Sequence, residues 1–229
     1  MSFYRQLQDR TNAQRAELLA APILGRALRG DIRRADYVAF LIEAYHHVKH
    51  TVPLLMAVGA RLPDDKAWLR AAVVEYIGEE FGHEEWVLDD LVACGVERDA
   101  VRRSTPSPAT ELMVAYAYDM VQRVNPLGFF GMVQVLEGTS VAIAHSAAGA
   151  MQQALGLPDA AFSYLRSHGA LDQDHVALFE GLMDRIEAPA EQALIVHTAG
   201  MFYRLYGDIF RSLDAPATVT DPAQVVSWS

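Results

Sequence analysis

A single cysteine, Cys94, stands among 229 residues, so no internal disulfide can form and nothing marks an oxidising compartment. Basic clusters are missing as well. The net charge is −10, and no Lys/Arg patch of nucleic-acid-binding type appears, so neither DNA nor RNA is expected as a partner. No uninterrupted apolar run reaches the roughly 18 residues of a membrane span, and the polar start at Met1 to Gln6 lacks the apolar segment of a signal peptide. These absences predict a cytoplasmic protein with no membrane partner. No glycine-rich dinucleotide fingerprint occurs, so electrons for any redox chemistry would come from an external donor. Strand-like alternation, hairpin turn signals and repeats of fixed period are absent too, which excludes a β fold and a solenoid.

What is present is helical pattern, on a composition (52% apolar, 21% charged) that suits a globular core. The pattern predicts a first helix over 3–28 with a break at Pro22, and a second over 33–61 with a kink at Pro53. A third runs 65–94 and stops at Cys94-Gly95, with a short piece at 97–103 after it. A fourth spans 108–123, and a fifth, strongly apolar, spans 126–155 and belongs in the centre of a bundle. The sixth, 159–168, passes Gly169 into a seventh, 170–186, and the last covers 189–213. The reading is one all-α domain, residues 1–213, of seven to eight helices, followed by an aperiodic tail at 214–229.

Four stretches carry candidate chemistry. His168, Asp172 and His175 stand at i, i+4 and i+7, within roughly 60° of one another on a helix. The competing reading makes Asp172 or Asp174 a helix cap beside a break at Gly169, with surface histidines. In the third helix Glu80 and His83 form a Glu-x-x-His pair, with Glu79 an equally good geometric candidate. Gly82 between them costs a helix about 1 kcal/mol relative to Ala, and so points to close approach of something to the backbone. The alternative there is a solvated acidic face with a chance histidine. Glu137 is the one acidic residue between Asp119 and Asp159, in an apolar helix where an unpaired charge would be expensive. It wants a metal, an arginine or a hydrogen-bond network, or else it is exposed or paired with Arg123. In the second helix Glu43, His47 and His50 share a face, as an additional ligand, as support for the ligands or as pocket lining, whereas His145 and His197 read as packing histidines.

Glu80, His83, Glu137, His168, Asp172 and His175 together offer three oxygen and three nitrogen donors and no thiolate. That set disfavours structural zinc and suits iron or manganese. Tyr45, Tyr76, Phe81 and Phe130 are the aromatic residues expected to line a substrate pocket.

The order Glu80-Phe81-Gly82-His83, then Glu137, then His168-x-x-x-Asp172-x-x-His175 resembles the ligand pattern of the heme-oxygenase-like diiron oxidases and oxygenases. That group includes CADD-type proteins and UndA-type fatty-acid decarboxylases, and the whole chain resembles, more distantly, the TenA/PqqC-type fold. The resemblance spans about residues 5–213 and implies a heme-oxygenase-like bundle that holds two Fe per chain, with Mn as the other metal and O2 as co-substrate. It makes the six residues metal ligands, Glu137 a bridging carboxylate, and Glu43 or His47 a further ligand from the second helix. It implies a mobile helix over 159–185, for which Gly169 fits as a hinge, and a small-molecule substrate, an amino acid or a fatty-acid-like compound. A homodimer is expected from the amount of apolar helix surface. The rival readings are a cofactorless PqqC-like oxidase, a non-catalytic TenA-like ligand-binding or regulatory protein, and a ferritin-like diiron protein. Thiamine hydrolysis is disfavoured by the place of Cys94 at a helix end, and heme degradation by the lack of histidine in the first 45 residues.

Overall fold

The computed structural model describes residues 1–214; within these, residues 168–175 are described by their helical backbone only. Helix α1 (Phe3–Leu19) begins behind Ser2, and its Tyr4 N–H donates to the Asp184 carboxylate at 2.8 Å. Pro22 opens α2 (Pro22–Leu28), where a missing N–H and a fixed φ suit the first turn. Helix α3 (Arg34–Val48) starts at a reciprocal Arg33–Asp36 cap and is followed directly by α4 (Thr51–Arg61). The kink expected at Pro53 is therefore a break at Lys49-His50. Lys49 is four residues before Pro53, and its carbonyl is the one a proline ring would strike in an unbroken helix.

The predicted third helix is also two, α5 (Ala67–Glu80) and α6 (His83–Ala93). Gly82 breaks it with φ +92°, a left-handed conformation that side chains with a Cβ seldom adopt. A Cβ placed there would meet nothing within 4 Å, so the expected close approach to its backbone does not occur. Then come α7 (Arg98–Arg103), α8 (Pro108–Asp119), a five-residue π turn at Met120–Val124, and α9 (Phe129–Leu155). Helix α10 (Ser163–Met183) runs through Gly169 without interruption, which corrects the predicted break there, and α11 (Pro189–Asp214) completes the bundle. The described residues thus form eleven α-helices and no strand, because three predicted helices divide and two merge.

Helix α9 is the axis: it packs most extensively on α10, and on α11 and α2. It crosses α11 at Gly131, where an added Cβ would lie 2.5 Å from the Ala199 nitrogen. The stretch Pro126–Leu155 is long and apolar enough on average to cross a membrane, and 67% of its most apolar window is buried among the other helices. Two apolar clusters flank it. One gathers α1, α4, α5, α8 and α11; the other gathers α3, α6 and the start of α10. A cavity lies along α9, with walls drawn from both clusters.

Candidate active site

The cavity holds about 130 Å³. An engineered cavity of roughly 150 Å³ accepts benzene, so a small organic group fits. Its lining on α9 extends from Phe129 to Met151. At a rise of 1.5 Å per residue that is a path of about 33 Å, so the space is narrow and long. None of its lining residues is exposed. Most are apolar, among them Leu24, Phe40, Met132, Ile143 and Ala147. The ionisable exceptions that matter are His47 from α3, Glu80 from α5 and Glu137 from α9, all buried.

Glu80 is the last residue of α5. The left-handed turn at Gly82 starts α6 at His83, and His83 Nδ1 lies 3.0 Å from Glu80 Oε2. The Glu-x-x-His pair therefore forms, but across a helix break and not along one helical face. His83 is buried, stacks on Trp86 with centroids 4.1 Å apart, and is not among the residues that line the cavity. It bears on the cavity through Glu80. Glu137 faces the cavity from the middle of α9. The alternative Arg123 partner is engaged elsewhere, with Asp119 at 2.5 Å. His47 meets Tyr206 edge-on at 5.8 Å.

The side chains of His168, Asp172 and His175 lie outside the described residues. Their helix runs antiparallel to α9: Tyr164 and Leu165 line the cavity beside Ala147 and Met151, whereas Phe179 sits with Phe130 and Val133. The 168–175 segment thus runs beside the part of α9 between these two ends. Helix α10 begins at Ser163, so positions 172 and 174 are helix interior and neither stands at its N-cap. The cap comes from Asp90 on α6, fully buried, which accepts from Ser163 N–H (2.9 Å), Tyr164 N–H (3.0 Å) and the Ser163 hydroxyl. Burial pushes the Asp90 carboxyl up, and those bonds oppose the rise.

Other expected residues lie elsewhere. Glu43 accepts from Ser107 N–H (3.1 Å) and the Ser107 hydroxyl (2.9 Å), and from the Thr110 hydroxyl, at the start of α8. It does not line the cavity. His50 sits on Tyr118 at 3.1 Å, outside the cavity, and Glu79 is exposed on α5. Of the four expected aromatic residues only Tyr76 lines the cavity. Tyr45 packs on His46 under Lys49, Phe130 lines a smaller apolar void, and Phe81 is 76% exposed because the break at Gly82 turns it outward. His145 and His197 are exposed and not packed. Further aromatic residues that line the cavity include Tyr37 and Phe40 from α3 and Tyr206 and Phe210 from α11, where spacings of three and four residues were the available signal, with Phe129 from α9 and Tyr164 from α10.

Among the described residues no three His, Cys, Asp or Glu side chains converge tightly enough to hold a metal ion. What they contribute is a donor set of two carboxylates and an imidazole on an apolar wall. That chemistry fits iron or manganese. The thiol of Cys94 is buried at the end of α6 away from the cavity, and burial pushes its pKa up.

Three structural relatives share the fold. A protein of unknown function with a heme oxygenase-like fold from Shewanella denitrificans superposes with TM-score 0.81 at 23% identity, covering 93% of this chain and 92% of that one. A TenA homologue from Pseudomonas syringae gives 0.77 at 10% identity, with coverages of 93% and 92%. Heme oxygenase-1 from Synechocystis, in complex with heme, gives 0.74 at 13%, with 93% of each chain covered. No curated protein matches the chain by sequence. Residues 38–207 match the sequence model of the iron-containing redox enzymes, and this heme-oxygenase-like chain belongs to that family.

Proposed function

We propose that the protein is an O2-dependent non-heme diiron oxidase or oxygenase whose substrate is a small, largely apolar organic molecule. The observation that carries this reading is that Glu80 and Glu137, two buried carboxylates from separate helices, and the buried His47 from a third all line one largely apolar cavity. Carboxylates in such a place hold a cation more naturally than they hold a fold. Iron, when bound, supplies the activation of O2. Glu80 and Glu137 would hold it, with His168, Asp172 and His175 of α10 as the donors that the family resemblance assigns.

The chain's own residues set the rest. His83 fixes the orientation of the Glu80 carboxylate through the 3.0 Å contact at Nδ1, and Trp86 fixes the imidazole plane by stacking. The buried lining excludes water from the reacting groups and receives the apolar part of the substrate. Thr51, Thr139 and Ser140 offer hydroxyls in the same wall for a polar end.

Anaerobic titration of metal-free protein with Fe(II), with iron counted per chain, tests the proposal. Uptake of two irons and a visible absorption change on mixing with O2, both lost in Glu137→Ala and His175→Ala, is the expected result. Uptake no greater in the wild type than in the variants overturns it, and leaves the cofactorless and ligand-binding readings.

A further inference from the structure

Two described tryptophans have opposite surroundings. Trp68 lies beneath the Arg185 guanidinium, 3.9 Å from its ring centroid. A cation on that face attracts the π electrons and makes loss of one of them harder. Trp86 has no such cation over it among the described residues, and its helix carries Glu84 and Glu85 in the first turn. Half-buried on α6, it stacks on the His83 imidazole with planes 28° apart. His83 contacts Glu80 at 3.0 Å, and Glu80 faces the cavity. A continuous path of contacts thus joins a partly exposed indole to the cavity wall. Neither His83 nor Trp86 lines the substrate space.

We infer that Trp86 is a one-electron relay between the cavity and the surface, an inference that rests on the iron reading above. Complete reduction of O2 to two waters takes four electrons and four protons; two ferrous ions becoming ferric give two of those electrons, and an organic substrate ordinarily gives the other two. With no substrate bound, Trp86 gives the third electron, which passes inward along His83 and Glu80 to the partly reduced oxygen while the indole N–H proton leaves to solvent; the fourth electron follows by the same path once an external reductant has refilled the indole. Each transfer leaves a neutral indolyl radical. A small one-electron reductant such as ascorbate returns the electron from outside, and the indole nitrogen takes a proton back. Without that reductant the radical persists and adds a second O2 at a ring carbon, a C–O bond forming as the unpaired electron moves to oxygen. Trp86 is then the position where oxidative modification collects.

The test uses full-length protein loaded anaerobically with Fe(II), its iron counted, then mixed with O2 in the absence of substrate. Freeze-quenched samples are read by electron paramagnetic resonance, and later ones by peptide mass mapping. The expected result is an organic radical whose hyperfine pattern changes on incorporation of ring-deuterated tryptophan. It is lost in Trp86→Phe, kept in Trp68→Phe and abolished by ascorbate, with oxygen added to the Trp86 peptide well above the Trp68 peptide. Phe at position 86 preserves a ring on His83, so the iron count of that variant separates a lost relay from a damaged site. Wild-type protein that binds iron and consumes O2 but shows no tryptophan radical, and oxidises both peptides equally, overturns the relay alone. Wild-type protein that takes up no iron overturns the proposed function and the relay with it.

Discussion

Glu43 and Glu137 are buried to nearly the same degree, 9% and 8% exposed, yet they sit in different settings. Glu43 sits where the fold needs an anion. The first turn of α8 presents backbone N–H groups without intrahelical partners and the positive end of a helix dipole, and the Glu43 carboxylate receives Ser107 there. The same device recurs at Asp90 on the start of α10, Asp184 on α1 and Asp214 on α2, where Ile23 N–H donates at 3.0 Å. Each acid is distant in sequence from the helix it caps. Glu137 is in mid-helix and Glu80 is the last residue of α5, the end at which a helix dipole disfavours negative charge. Buried acids at helix starts explain themselves by folding. Under the proposed function, the buried acids in mid-helix and at a helix end, facing the cavity, hold a cation instead.

The comparison breaks most sharply on iron. Glu137→Gln and Glu80→Gln should each weaken Fe(II) binding at least 100-fold, taking the loss of a ligand as no smaller than the 10–100-fold typical of a supporting group. Gln keeps the size of each side chain and its capacity to hydrogen-bond, so the melting temperature of the metal-free protein should move by only about 2–4 °C, the equivalent of roughly 1 kcal/mol at this size. Calorimetry of metal-free samples beside equilibrium iron binding reads both quantities. A large loss of stability in Glu137→Gln with iron retained would make that residue a folding acid like Glu43.

The converse substitutions come next. Glu43→Ala and Asp90→Ala leave buried N–H and hydroxyl donors without an acceptor. Each should cost about 3 kcal/mol, a fall of roughly 6–12 °C in melting temperature. Glu43→Ala should still bind iron at the wild-type stoichiometry, and chemical denaturation with metal analysis checks it. Asp90→Ala should in addition loosen the start of α10, seen as faster amide hydrogen exchange at Ser163 and Tyr164 than in Glu43→Ala.

Much of the fold was legible because its punctuation is local. Pro22, Pro108, Pro126 and Pro189 open helices, and Gly156 closes one with φ +62°. Glu137 was legible by its isolation in an apolar helix. The errors share one cause. Periodicity treats a helix as continuous, so the unseen turn at Gly82 put Phe81 into a pocket it does not reach and placed Glu80 and His83 on one helical face when they meet across a helix break. Conversely, Gly169 resembled a break, but residues on both sides of it pack along α9 and the helix continues. The roles of Glu43 and Asp90 were invisible for a stronger reason. Their partners lie 64 and 73 residues away, and no local pattern encodes which helix start a distant acid will meet.

Acid pH separates two further carboxylates. Asp90 has a folded-state pKa raised by burial, so the native protein binds that proton more tightly than the unfolded chain does. Its contribution to stability grows as pH falls from neutral through the raised pKa, and is smallest at high pH. Asp36 is the reverse. The Arg33 guanidinium bonded to it holds its carboxyl below the usual range, so its contribution is complete above the unfolded value of about 3.9 and is lost as pH falls through the folded one. Between neutral pH and pH 4 the urea midpoint of wild type should therefore rise relative to that of Asp90→Asn, whereas its distance from that of Asp36→Asn should stay constant. Parallel curves for wild type and Asp90→Asn would show that Asp90 does not titrate in that range.

The smallest expected effect sharpens the comparison most locally. Glu79 and Glu80 are neighbours, about 100° apart around α5, and spacing alone could not choose between them. In the structure they differ: Glu79 is exposed, whereas Glu80 is buried, touches His83 and faces the cavity. Glu79→Gln should change stability by no more than about 0.5 kcal/mol, the usual range for surface substitutions, and leave the iron count as in the wild type. Measured beside Glu80→Gln under the same conditions, it isolates position on the helix from the chemistry of a lost carboxylate. Equal loss of iron in both variants would mean that acidity on this face, and not the contact of Glu80 with His83 and the cavity, governs metal uptake.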